Sequence, residues 1–323
     1  MTDSDSQSPV RVLAVIVLYK MQPMESAAYT SIRAAISALA NEKAEVKLLL
    51  YDNTPGGQDP GVLPLDVQYQ ADIENSGLSR AYNYALNIAQ QAGFEWLLTL
   101  DQDTSLPIDF LTSLCHAVSF VAPLDRIAAV VPRVSDDGRI VSPHTTMKHW
   151  IRTKPYRDVF IGIPFDRVYA ANSASTIRVS ALKAIGGYNP DYYLNYSDIE
   201  MYHRLQCNNF RIFFAGNIQV AHESSGFNLT ERSTPLAYED AVLSEVEFFD
   251  EYLGSVERLV LLVKLFCRPV YRVWRQGGSV PFLKIALKCL CKRLFYSRKQ
   301  RMASWKQRVR QNPLTAPSCL RAD

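Results

Sequence analysis

Residues 10–19 run VRVLAVIVLY, apolar and largely β-branched apart from Arg11, a stretch of the kind that forms a strand buried on both faces. Ile32, Ile36 and Leu39 then recur at helical spacing and predict a helix over 26–39. A second strand over 46–51 is stopped by Asp52-Asn53-Thr54-Pro55-Gly56-Gly57, a strong turn signal. A short strand over 67–70, a helix over 79–91 and a strand over 96–100 follow. Strand and helix alternating in this order imply an α/β fold, with a right-handed, mostly parallel sheet covered by helices on both faces.

The second half is less regular. The pattern predicts a helix over 110–120 and a buried strand over 127–131, then weakens from 136 to 164 into polar and aromatic residues suited to antiparallel strands or loops around a cleft. A short helix over 180–185 is ended by Gly186-Gly187, and a helix over 198–208 precedes a strand over 210–214. After Thr234 the chain reads as helical to its end. The expected organisation is a disordered N-terminus over 1–9, an α/β domain over 10–235 and a basic helical extension over 236–323.

Composition narrows the class. With 323 residues, 48% hydrophobic and 21% charged, the chain can bury a large core and is globular rather than disordered. Residues 1–9 are polar and acidic, unlike a secretory signal, and no apolar run reaches the roughly 20 residues needed to span a bilayer. The six cysteines (115, 207, 267, 289, 291 and 319) have neither metal-type nor disulfide-type spacing, which fits a reducing cytoplasm. The net charge of +3 conceals an asymmetry: residues 1–257 carry −12, and residues 258–323, whose only acid is Asp323, carry +15. Leu283, Leu287, Leu290 and Leu294 form a helical stripe flanked by Lys284, Lys288 and Lys292. This is the make-up of a helix lying on an anionic membrane surface. A helix packing its leucines on the α/β body, or a nucleic-acid-binding segment, has the same composition; nucleic acid is the least expected partner.

Candidate chemistry begins at 96–104, WLLTLDQDT, where an apolar strand stops at Asp101 and Asp103. Open α/β sheets bind ligands at the carboxyl ends of their strands. Two acids there repel unless a cation sits between them, and a divalent metal carrying a nucleotide diphosphate meets that need. Alone, the pair reads equally as a helix cap or a solvated turn.

Other segments stand in order around it: Leu18-Tyr19-Lys20 closing the first strand; Asp52-Asn53 closing the second; Asn75-x-Gly77-x-x-x-Ala81-x-Asn83; Gly186-Gly187-Tyr188-Asn189-Pro190 followed by Tyr196-Ser197-Asp198-Ile199-Glu200; and His222 within Val220-Ala-His222-Glu-Ser-Ser-Gly226. Together with Asp101-Gln102-Asp103 this ordered set resembles the family 2 glycosyltransferases of the GT-A type, and within them the bacterial rhamnosyltransferase-like branch, over about residues 10–230. Lys20, Asn189 and Met201 depart from the family pattern, where Asn, Asp and an aromatic are usual.

The resemblance implies a GT-A, Rossmann-like domain and an inverting, metal-dependent sugar transferase. It implies Tyr19 beside the nucleobase, Asp52 at its imide, and Asn53, Asn75, Gly77, Arg80, Asn83, Asp101 and Gln102 also on the nucleotide sugar, with Gly77 and Arg80 near the diphosphate. It further implies Asp101, Asp103 and His222 on Mg2+ or Mn2+, and Asp198 as the base. Ser173, Tyr196 and Glu200 would border the acceptor, with Glu200 alternatively orienting the base. Gln102, common in that branch, points to deoxythymidine diphosphate-rhamnose; UDP-galactofuranose, UDP-glucose and UDP-galactose are the alternatives. The expected acceptor is a lipid-linked saccharide of O-antigen or capsule type, met by a peripheral protein on the cytoplasmic face of the bacterial membrane. A nucleotidyltransferase would need a Gly-rich, basic loop near the amino terminus, which 10–25 lacks. A non-catalytic nucleotide-sugar-binding module is the remaining alternative.

Overall fold

The computed structural model describes residues 9–39, 43–150, 153–156, 159–222, 235–276 and 280–311. The N-terminal segment expected to be disordered falls, but for its last residue, outside the described residues, as does 223–226 of the His222 motif. The first half comprises β1 (Val10–Leu18), α1 (Ala27–Ala38), β2 (Ala44–Asp52), β3 (Val67–Ala71), α2 (Leu78–Gln91), β4 (Trp96–Asp101), β5 (Thr104–Ser105) and α3 (Phe110–Val121). Then come β6 (Ile127–Asp136), β7 (Arg139–Ser142), β8 (His144–Thr146), β9 (Thr153–Pro155), β10 (Ile161–Gly162), β11 (Val168–Tyr169), β12 (Ser175–Arg178), α4 (Val179–Ala184), α5 (Ser197–Cys207) and β13 (Arg211–His222). Helices α6 (Pro235–Tyr252), α7 (Ser255–Gln276), α8 (Val280–Phe295) and α9 (Arg298–Gln311) complete the described chain.

The main sheet has the order β10-β13-β6-β12-β4-β1-β2-β3. Strands β3, β2, β1 and β4 are mutually parallel, as are β6 and β13. The antiparallel β12 is inserted between β4 and β6, a strand that the sequence pattern does not announce. Strand β1 shows why its run is apolar from Val12 onward: Val12, Ala14, Ile16 and Leu18 face α1 and α3, while Leu13, Val15 and Val17 face α2, α4 and α5. Side chains alternate between the faces, so a strand covered on both sides has no polar position.

In-register pairing sets the site. Leu18 at the end of β1 lies opposite Asp52, and Val17 lies opposite Asp101. The two acids therefore reach the same carboxyl edge from opposite sides of β1. Strand β5 pairs with the end of β13 and lays Thr104 against His222, bringing a residue over a hundred positions away to the Asp-Gln-Asp turn.

The C-terminal helices pair part of the charge asymmetry within the fold. Helix α6 is acidic, and its Glu239, Glu245, Glu247 and Asp250 pair with Lys288, Lys264, Arg268, Arg298, Arg293 and Arg301 from α7, α8 and α9. Among the described residues, six of the tail's sixteen basic residues are thus matched on α6. A third apolar cluster, including Tyr192, Val246, Phe248, Phe249, Leu265 and Trp305, packs these helices on the loop before α5. The leucine stripe expected on α8 is only partly realised, because Ala286 and Cys289 are its buried positions while Leu287 and Leu294 are exposed. Among the described residues no helix is long and apolar enough to cross a membrane.

Candidate active site

A cleft of about 590 Å³ opens at the carboxyl edge of β1, β2 and β4. One wall carries Asp101, Asp103 and His222, and another carries Tyr196 and Asp198 at the start of α5. Tyr19, Asn53, Asn75, Gly77, Gln102 and Ser173 also line it. Several residues in or beside it hold left-handed backbone, namely Lys20, Asn75, Ala174 and Tyr196, with φ between 49° and 65°. Non-glycine residues rarely adopt this conformation, and it gathers at functional sites where the surrounding structure over-determines it.

Asp101 is fixed from two sides. Tyr82 donates its hydroxyl to Oδ1 at 3.3 Å, and Ser173 donates to Oδ2 in a short hydrogen bond. Burial, reinforced by Asp101, pushes the Tyr82 phenol up, so Tyr82 stays a donor. Ser173, expected at the acceptor, is therefore buried as a partner of the acidic turn. Nδ1 of His222 lies 3.3 Å from Asp103 Oδ1 and Nε2 lies 4.0 Å from Asp101 Oδ2. The imidazole bridges the two carboxylates instead of meeting them at one point. Among the described residues no group of three or more His, Cys, Asp or Glu side chains forms a ready-made metal cage. Two carboxylates with an adjacent imidazole fit a hard divalent cation whose shell is completed by phosphate oxygens.

Gln102 has a structural task. Its Oε1 accepts from the Tyr19 backbone N–H at 2.7 Å, and its carbonyl accepts from Ser26 Oγ at 2.7 Å and from Ala28 N at 3.2 Å. Ser26 also caps α1 by accepting from Tyr29 N. The residue between the acids thus ties their turn to β1 and α1.

Asp198 lies in the first turn of α5, where Tyr196 is the N-cap residue. It is not the cap. Its Oδ1 accepts from Ile199 N at 2.7 Å. Burial, with a smaller contribution from Asp101, raises its carboxyl from 3.8 to about 6. The preceding loop is held by Asp240 of α6, whose Oδ2 accepts from Asn195 N at 2.9 Å and Nδ2 at 2.7 Å.

Several expected roles do not match the geometry. Asp52 is fully buried, with Oδ2 accepting from Tyr69 at 2.6 Å and Oδ1 from Thr54 N at 2.9 Å; Asn53 faces the cleft in its place. Asn83 clamps Tyr188, donating to its carbonyl at 2.8 Å and accepting from its N–H at 2.8 Å. Arg80 is exposed and is not among the cleft-lining residues. Glu200 is fully buried against Arg204, Asn189 and Tyr252 and is not among the cleft-lining residues. Gly77 is needed for packing: at φ +92° a Cβ there would lie 2.6 Å from the Tyr193 carbonyl. That carbonyl accepts from Leu78 N, and Ser79 Oγ donates to the Tyr192 carbonyl. The start of α2 is thus tied to the Tyr192–Tyr193 loop, while Gly77 and Leu78 line the cleft.

Three buried polar atoms in the cleft, Tyr19 Oη, Asn53 Oδ1 and Asn75 Nδ2, have no hydrogen-bond partner among the described residues. Buried polar groups are nearly always satisfied, so they mark where a ligand belongs. The cleft also reaches Glu245 of α6 and Lys264 and Arg268 of α7, which no motif signals because they come from the helical extension.

A mixed α/β sheet with an acidic cleft at its parallel edge defines the GT-A-like fold. Crystal structures of S. aureus TarS share it. The 1–349 fragment matches with a TM-score of 0.53 at 14% identity, over 93% of this chain and 85% of that one. The same fragment in complex with UDP-GlcNAc matches at 0.51 and 13%, over 93% and 85%. The longer TarS structure matches at 0.51 and 13%, over 91% of this chain and 50% of that one. No family model and no curated protein matches the chain.

Proposed function

We propose that the chain is an inverting glycosyltransferase that uses a pyrimidine nucleotide diphosphate sugar. The observation that carries this reading is one cleft with Asp101, Asp103 and His222 on one wall, Asp198 on another, and the unpartnered polar atoms of Tyr19, Asn53 and Asn75 alongside. The nucleoside satisfies those polar atoms. Asp198 takes the proton from the acceptor hydroxyl as that oxygen attacks the anomeric carbon and the bond to the diphosphate breaks. A base titrating near 6 is ionised at neutral pH yet still basic enough to accept the proton. Asp101 and Asp103, with His222, would hold Mg2+ or Mn2+, which when bound offsets charge on the diphosphate.

Deoxythymidine diphosphate-rhamnose is the donor implied by the Asp-Gln-Asp resemblance. A UDP-sugar is the second reading, favoured by the fold shared with a protein solved with UDP-GlcNAc. The acceptor is a saccharide on a lipid carrier at the cytoplasmic membrane face. The test is a panel of nucleotide sugars with Mn2+, scored by thermal stabilisation and then by transfer or hydrolysis of the sugar. Stabilisation by UDP- or dTDP-sugars and loss of turnover in Asp198→Asn are expected. No stabilisation by any pyrimidine nucleotide sugar would overturn the reading.

A further inference from the structure

Helix α7 has two apolar faces. Leu261 and Leu265 point inward to the third cluster, whereas Val256, Leu259, Val263, Phe266 and Val270 recur at alternating spacings of three and four and are 45–61% exposed. Part of this outer face lines a shallow depression formed by Leu259, Val263, Cys267 and Thr153 together with Lys264 and Arg268. Lys264 and Arg268 also line the catalytic cleft, so depression and cleft meet at these two cations.

The cations share a single carboxylate. Arg268 grips Glu245 through two hydrogen bonds of 2.7 and 3.1 Å, and Lys264 lies 3.8 Å from it. Lys264 also donates to the Trp150 carbonyl. The Glu245 side chain is 7% exposed, but that of Arg268 is 49% exposed. Among the described residues these two cations pair with one carboxylate, leaving one positive charge in excess, and the Arg268 guanidinium, with five N–H donors, gives two to Glu245.

We infer that Lys264, Arg268 and the Leu259–Val263 face of α7 form a binding site for an amphiphile with a phosphate head and an alkyl chain, seated at the mouth of the catalytic cleft. The alkyl chain covers Leu259 and Val263, and the phosphate takes the excess charge at Arg268. The role of this site, presenting an acceptor to Asp198, rests on the function proposed above; the binding itself does not.

The test uses the full chain and dodecyl phosphate below its micelle concentration, with dodecanol and inorganic phosphate as controls, followed by calorimetry. Saturable binding of dodecyl phosphate at least about tenfold tighter than either control is expected, since head and chain both contribute. The exposed double variant Leu259→Ser/Val263→Ser should weaken it about tenfold or more, as removing buried apolar contact does. Arg268→Gln should weaken dodecyl phosphate but not dodecanol. Stabilisation by UDP in the double variant should equal wild type, so a failed donor site is read separately. Binding unchanged in both variants would overturn the inference. So would attachment to anionic vesicles without saturable dodecyl phosphate binding, or a dimer in light scattering that Val263→Ser dissolves.

Discussion

Asp198→Asn is expected to abolish transfer and stabilise the protein at the same time. The carboxyl is raised from 3.8 to about 6 by burial and by Asp101. In the window between those values the native state binds more protons than the unfolded chain. Stability therefore falls as pH rises through it, and the penalty is complete above pH 6 and absent below 3.8. A shift of about two units corresponds to about 3 kcal/mol at most, and partial solvent access reduces this to about 1–3 kcal/mol. Asparagine keeps the acceptor oxygen for the Ile199 N–H and removes the charge. For a chain of this size that predicts a Tm about 2–6 °C above wild type at pH 8. The gap should close as pH approaches 4. Turnover should fall by about 10²-fold or more while UDP stabilisation is retained. The checks are melting curves of both proteins from pH 4 to 8 and a sugar-transfer assay. A variant Tm at pH 8 equal to or below wild type would refute the electrostatic reasoning, and transfer within tenfold of wild type would refute the base.

Gly77→Ala should destabilise by about 2–4 kcal/mol, read by urea unfolding, because the new Cβ meets Tyr193 at a φ alanine resists. Arg301→Ala should cost about 1–3 kcal/mol by taking one of two cationic partners from buried Glu247 and from half-buried Asp250, which keep Arg298 and Arg293, whereas Arg33→Ala, which removes the partner of the more exposed Asp66, should stay within about 1 kcal/mol. Equal losses in that pair of variants would show that burial is not what sets the worth of these ion pairs. Adding Mn2+ should tighten UDP binding in wild type and not in an Asp101→Asn/Asp103→Asn double variant; equal affinity with and without metal in wild type would remove the acids from that role.

Period was legible in the chain, and so was order. Strands β1, β2 and β4 and helices α1, α2 and α5 lie within a residue or two of the positions their apolar spacing predicts, because a covered strand must be apolar and a packed helix must be amphipathic. Asp101, Asp103 and Asp198 were legible as acids at element ends facing a strand edge. The antiparallel β12 was not, since STIR carries no pattern that fixes its direction or its neighbours.

The chain by itself thus determined the α/β layering, the acidic turn after β4 and the acidic start of α5, each a local consequence of spacing. Which polar groups are free for a ligand was decided only by the tertiary structure. Asp52, Asn83 and Glu200 have the right chemistry for a site, yet Tyr69, Tyr188 and Arg204 consume it. Gln102 also ties β1, α1 and the acidic turn together, a task only the tertiary structure shows. Among the described residues, six of the tail's cations pair with acids of α6, and two of them, Lys264 and Arg268, also reach the cleft. A hydrogen bond or an ion pair depends on which distant residue arrives beside it, and no local pattern carries that information.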